Sequence, residues 1–127
     1  MRLLIVTQKV DATDPNLGFF IRWVEKLSEK GEVAVIANEV GVSAAVDLPP
    51  SVSVYSLGKE RGASRVSRFF RYQLLLWKHL WRADGVFFHM CPEYVLGAHF
   101  LPYIFRKKTL LWYVHREVNW RLRLAEK

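Results

Sequence analysis

Apolar positions along this chain change their spacing several times, and each change marks an element. Arg2 to Val6 is a short, β-branched apolar run, the pattern of a buried strand. From Phe19 to Lys30 the spacing turns helical, with Phe20, Trp23, Val24 and Leu27 on one face and Gly31 in the place of a C-terminal cap. Val33 to Ala37 and Val52 to Leu57 read as the next two strands. Between them, Asn38 to Ser51 has no helical period and carries Pro49-Pro50, which marks a loop. Arg65 to Arg82 is the longest helical pattern. Gly85 to Met90 and Thr109 to His115 are nearly continuous in apolar residues, as strands buried on both faces require. A further helix starts near Pro92, whose missing N–H is harmless at a first helical position. Glu117 to Lys127 begins another helix that stops without a Gly or Pro terminator, so residues 1–127 are expected to form one domain incomplete at its C-terminus.

The order strand, helix, strand, strand, helix, strand, helix, strand implies right-handed crossovers and a mostly parallel sheet covered on both faces. The expected fold class is a Rossmann-like three-layer α/β/α sandwich. In such sheets ligands sit beyond the carboxyl ends of the strands, and a helix start offers free N–H groups and a positive dipole end to an anion. After the first strand a polar loop runs through Asp11, Asp14, Pro15 and Asn16 to Gly18. Gly18 either lets an anion approach the helix start or only permits a tight turn. No G-x-G-x-x-G follows the strand directly, which argues against a nicotinamide dinucleotide.

With 127 residues, 51% of them hydrophobic and 24% charged, the chain can bury the core of one compact domain. A single cysteine, Cys91, excludes an intramolecular disulfide, and no Cys/His cluster has zinc-ligand spacing, so no metal is expected. Beside Pro92, Cys91 reads as a small buried residue more than as a reactive thiol. A reducing cytoplasm suits this composition, and the N-terminus lacks the pattern of a signal peptide. Gly85 to Phe105 is long and apolar enough to warrant a membrane test. Glu93, His89 and His99 within it, and Pro92 and Pro102, argue against a span.

Charge is concentrated rather than spread. Lys59 to Arg82 holds seven Lys/Arg against one acidic residue, Glu60, and so carries six of the chain's formal net charge of +7. In the helical pattern, Phe69, Phe70, Leu76, Trp77, Leu80 and Trp81 form an apolar side expected to pack on the sheet. Arg61, Arg65, Arg68, Arg71, Lys78 and Arg82 form a basic side. A solvated face usually mixes signs, whereas a basic face with aromatics at its edges suits an anionic membrane surface. These six residues are the candidate membrane-binding set, which would place the protein peripherally at the inner face of a cell membrane. A pI near 9.8 also raises nucleic acid, but no DNA or RNA motif is present and one helix accounts for the charge.

Two histidines end the last two strands, His89 in Phe-Phe-His-Met and His115 in Trp-Tyr-Val-His. Both therefore point toward the crevice that the loop before Gly18 also borders. Each is either a hydrogen-bonded structural residue or a site residue. Without a metal partner or a Ser or Cys elbow nearby, hydrolytic chemistry is not indicated.

Four segments together, Asn16-Leu-Gly-Phe-Phe-Ile-Arg-Trp23, Leu57-Gly-Lys59, Asp84-Gly-Val-Phe-Phe-His-Met90 and Leu111-Trp-Tyr-Val-His115, resemble the N-terminal domain of family-four, retaining glycosyltransferases of the GT-B fold. The resemblance implies an acceptor-side Rossmann-like domain facing a second domain that holds most of a nucleotide-sugar. That donor is a co-substrate, and no bound cofactor is implied. Asn16 and Gly18 match the loop near the donor diphosphate and transferred sugar, His115 the histidine that contacts the sugar, and His89 a residue lining the acceptor side. The chain departs from the family in having Leu17-Gly18 where many members carry two adjacent glycines, and it contains no donor-binding domain with paired glutamates. The implied function is transfer of a sugar to a lipid-linked, glycan or other cell-envelope acceptor, with this part alone inactive. The competing reading is a stand-alone membrane-surface or anion-binding α/β module.

Overall fold

A computed structural model describes residues 2–10, 20–41, 48–89, 94 and 106–112. At its centre is β1 (Arg2–Val10), hydrogen-bonded on both edges. On one side lies β2 (Glu32–Val40) and beyond it β3 (Val52–Ser56). On the other lies β4 (Gly85–His89) and then β5 (Lys108–Trp112). Every pairing is parallel, and the strand order is β3-β2-β1-β4-β5. The sheet therefore grows outward from β1 in one direction, reverses, and grows in the other. That reversal is the topological switch point of a doubly wound sheet, between β1 and β4.

Two helices cover the two faces, which gives the expected α/β/α layering. Alternation along the strands decides which residue meets which helix. From β1 and β4, Leu4, Val6, Val86 and Phe88 join Tyr72, Leu76 and Leu80 of α2 (Arg65–Leu80) in one core cluster. Ile5 and Phe87 join Phe20, Ile21 and Val24 of α1 (Phe20–Ser28) in the other. Beside α1, over β4 and β5, an apolar hollow of about 640 Å³ is bordered by Trp23, Leu27, Phe87 and Leu110.

Strand and helix positions match the sequence pattern, with two differences in length. β1 runs on past Val6 to Val10, and β2 past Ala37 to Val40, because Lys9 and Val10 pair with Glu39 and Val40 and Val10 is buried. Alternating polar residues concealed that extension. The start of β1 is held at β4 by Asp84, whose backbone N–H donates to the Arg2 carbonyl at 2.7 Å and whose carboxylate accepts from the Arg2 N–H at 2.8 Å. The helix expected from Pro92 is represented among the described residues by helical Tyr94, and the one expected from Glu117 lies outside them.

The expected orientation of the long helix is corrected. Leu76 and Leu80 do pack on the sheet, but with Tyr72, while Phe69, Phe70, Trp77 and Trp81 are exposed. Residues 72, 76 and 80 follow helical spacing and continue into buried Ala83, so a narrower stripe suffices to seat the helix. Ser64 caps it by accepting from the Ser67 N–H at 3.2 Å. The stripe yields a paired prediction. Leu76→Ala should destabilise the fold by about 2–5 kcal/mol. Leu74→Ala, at a side chain 72% exposed, should stay within about 0.5 kcal/mol of wild type in urea unfolding.

Candidate functional site

Thr7 and His89 are register partners on adjacent strands, so they stand side by side toward the carboxyl ends of β1 and β4. Thr7 shares the parity of Ile5, and His89 that of Phe87, so both side chains project toward the α1 face. Thr7 Oγ1 and His89 Nδ1 lie 3.2 Å apart and share a buried hydrogen bond. Beyond Thr7, β1 and β2 continue paired to Val10 and Val40.

Over this pair sits Phe20, at the start of α1. The Phe20 ring stacks on the His89 imidazole with centroids 4.0 Å apart, and Trp23 and Phe87 approach it edge-on at 5.7 and 6.2 Å. His89 is consequently fully buried. Burial pushes its pKa down to about 4, so the ring is neutral under physiological conditions. His89, expected to line an acceptor surface, is enclosed, because strand alternation turns it under Phe20. It can fix the orientation of the α1 start and of β1, and it holds no exposed edge for a ligand.

Further along the same rim, Leu57-Gly58-Lys59 closes β3. The Leu57 N–H donates to the Ala37 carbonyl at 2.8 Å, and a 3-10 turn follows over Lys59–Arg61. Gly58 has φ 98°, and a Cβ there would meet Ala63 Cβ at 3.1 Å, so this motif position requires glycine twice over. Glu60 accepts from Ser56 Oγ at 2.5 Å, while Glu39 lies 3.8 Å from both Lys9 and Lys59. The rim over β1, β2 and β3 is thus lined with charges in loose pairs.

Two members of the basic set also belong to this rim. Arg68 is half-buried and donates through Nη1 to Asn38 Oδ1 at 2.8 Å, and Arg71 donates through Nε to the Ser56 carbonyl at 2.7 Å. Both tie α2 to the ends of β2 and β3. Arg61, Arg65, Lys78 and Arg82 are exposed. Asn16, Gly18 and His115 lie outside the described residues, as do Cys91 and Pro92. Thr7 is the residue that sequence reasoning passed over, and its signal was a lone polar residue ending a buried run. Among the described residues no group of three His, Cys, Asp or Glu side chains could hold a metal ion.

A second cavity, of about 380 Å³, opens at the opposite, amino end of the sheet, bordered by Arg2, Glu32, Ser53, His79 and Arg82. It is distant from the switch point and from every segment of the resemblance except Asp84. At this end the strands present no loop from β1 into a helix, so the carboxyl rim remains the better candidate.

No protein-family model matches the chain, and no curated protein sequence matches it. A solved structure described as TcCGT1 in complex with UDP aligns with 88% of this chain at a TM-score of 0.49 and 11% identity. The chain spans 28% of the length of that protein. The Rossmann-like assignment rests on the strand order and layering themselves.

Burial of His89 has a measurable consequence. Its unfolded-state pKa is the ordinary 6.5 and its folded value about 4, so the unfolded chain takes up a proton first as pH falls. Stability is full above pH 6.5 and declines toward pH 4, by on the order of 3 kcal/mol for the whole shift. His79, lowered by burial and then by the charges of Lys78 and Arg82, acts in the same direction. The difference between wild type and His89→Gln isolates the His89 share. Denaturant unfolding at several pH values should give the variant a shallower acid decline, whereas equal slopes would mean that His89 titrates as an exposed histidine does.

Proposed function

We propose that this chain is the acceptor-side half of a GT-B-type transferase that moves a sugar from a nucleotide-sugar to a lipid-linked, glycan or other cell-envelope acceptor. The observation that carries the reading is convergence. Four segments scattered over the sequence make up the glycosyltransferase resemblance. Their described residues belong to the start of α1, the turn after β3, β4 itself with its terminal His89, and the end of β5. Each segment reaches the carboxyl rim of one parallel sheet, the third by running the length of β4 from Asp84 at the amino end to His89, and the strand order reverses between β1 and β4. Ligands of open α/β sheets bind at such a reversal.

In this reading the loop from β1, with Asn16 and Gly18, lies against the donor diphosphate, and the amino end of α1 supplies N–H groups and dipole to it. His115 hydrogen-bonds the transferred sugar. Transfer with retention builds positive charge on the sugar ring and negative charge on the departing diphosphate. A neutral imidazole then orients the sugar without acting as a base. His89, held by Thr7 and covered by Phe20, keeps the rim rigid rather than touching substrate. A second Rossmann-like domain supplies most donor contacts, and no metal is required.

The test is turnover by the protein joined to its donor domain, with a panel of nucleotide-sugars and envelope lipid extracts. His115→Ala should lower kcat by about 10²-fold with little change in melting temperature. Gly18→Val should obstruct the donor, raising its KM or abolishing transfer. Wild-type turnover in both variants would remove the reading. Vesicle binding without consumption of any nucleotide-sugar would favour the non-catalytic module instead.

A further inference from the structure

On its outward side, α2 presents Val66, Phe70, Leu74, Trp77 and Trp81, spaced by four, four, three and four residues, which is one continuous line down a helix. Phe69 widens the line at its start, its ring 5.9 Å from that of Phe70 and edge-on to it. All six side chains are between 52% and 72% exposed. Four of the six are aromatic, which distinguishes the patch from scattered surface apolar residues.

The chemistry beside the line narrows what can cover it. Arg71, Lys78 and Arg82 run along one flank, Arg61 and Arg65 lie at the amino end, and α2 contains no acidic residue. Arg82 stands 5.2 Å from the centre of the Trp81 ring, so cation and aromatic form one surface unit. A second copy of this face brought against the first would set like charges beside one another. A partner with an apolar interior and an anionic boundary has no such conflict.

The dimensions point the same way. At about 1.5 Å per residue, the helix is about 24 Å long, short of the roughly 30 Å hydrocarbon core, and its inner side is committed to the sheet. Among the described residues no helix is long and apolar enough to cross a membrane. A helix of this kind lies in the plane of an interface, aromatics at the headgroup level and cations on lipid phosphate.

We infer that the outward face of α2 docks the protein onto an anionic lipid bilayer, with Phe70, Leu74, Trp77 and Trp81 entering the headgroup boundary and Lys78 and Arg82 meeting the phosphates. This differs from docking through the basic side alone, since Arg68 and Arg71 are engaged with Asn38 and Ser56. It stands whether or not the rim transfers a sugar.

The test is co-sedimentation of the full chain with phosphatidylcholine vesicles, with and without phosphatidylglycerol, over a range of salt concentrations. Phe70→Ser/Leu74→Ser/Trp77→Ser, at exposed positions, should keep the wild-type circular dichroism and melting temperature and weaken binding more than tenfold. Lys78→Glu/Arg82→Glu should weaken binding to the anionic vesicles by at least about tenfold and leave binding to neutral vesicles unchanged. Quenching of tryptophan fluorescence by brominated lipid should be lost in a Trp77→Leu/Trp81→Leu variant that still binds. Equal binding to both vesicle types, or wild-type binding by the serine variant, would overturn the proposal. So would a concentration-dependent dimer that the serine variant abolishes, which would assign the face to a second copy of the chain.

Discussion

The structure depends on β1 being a strand with two paired edges and two buried faces. A residue in that position has no solvent to satisfy its backbone, so β2 and β4 must supply both ladders and the helices must supply both covers. Leu4, Ile5, Val6 and Thr7 are accordingly all buried. The reversal of strand order follows from the same constraint: with β2 on one edge, β4 is admitted only on the other. The two directions of growth separate between β1 and β4, and among the described residues Thr7 and His89 are the pair nearest the carboxyl ends of those strands.

At that point the sheet keeps a polar pair inside an apolar setting. A hydrogen bond joins the two buried side chains through Thr7 Oγ1 and His89 Nδ1, and the imidazole also stacks on Phe20. Burial holds the ring neutral, so the pair adds no charge beneath the rim. Charged side chains gather one layer out, where Glu39 stands between Lys9 and Lys59 and water can screen them. The rim is thus a dry base under a wet, charged edge.

Much of this was legible in the residues. Near-continuous apolar runs mark parallel strands, and strand endings place His89 toward the rim. Thr7 was harder to find, because a polar residue after a buried run reads as the start of a loop. Only the pairing of Lys9 with Glu39 and of Val10 with Val40 shows that the strand goes on. The long helix is ambiguous in sequence for a different reason. It has apolar residues on two sides, and spacing alone does not say which side faces the sheet. Tyr72, Leu76 and Leu80 meet the core, and the more aromatic side meets solvent.

The placement of a ligand crevice at the switch point is open to direct observation by amide chemical-shift mapping, titrating the isotope-labelled chain with nucleotide-sugars. Shifts should concentrate at Thr7 to Val10, at the start of α1 around Phe20, at Leu57 to Lys59 and at His89. Shifts confined to the amino ends of the strands, around Arg2, Glu32 and Ser53, would contradict that placement, as would none at millimolar ligand.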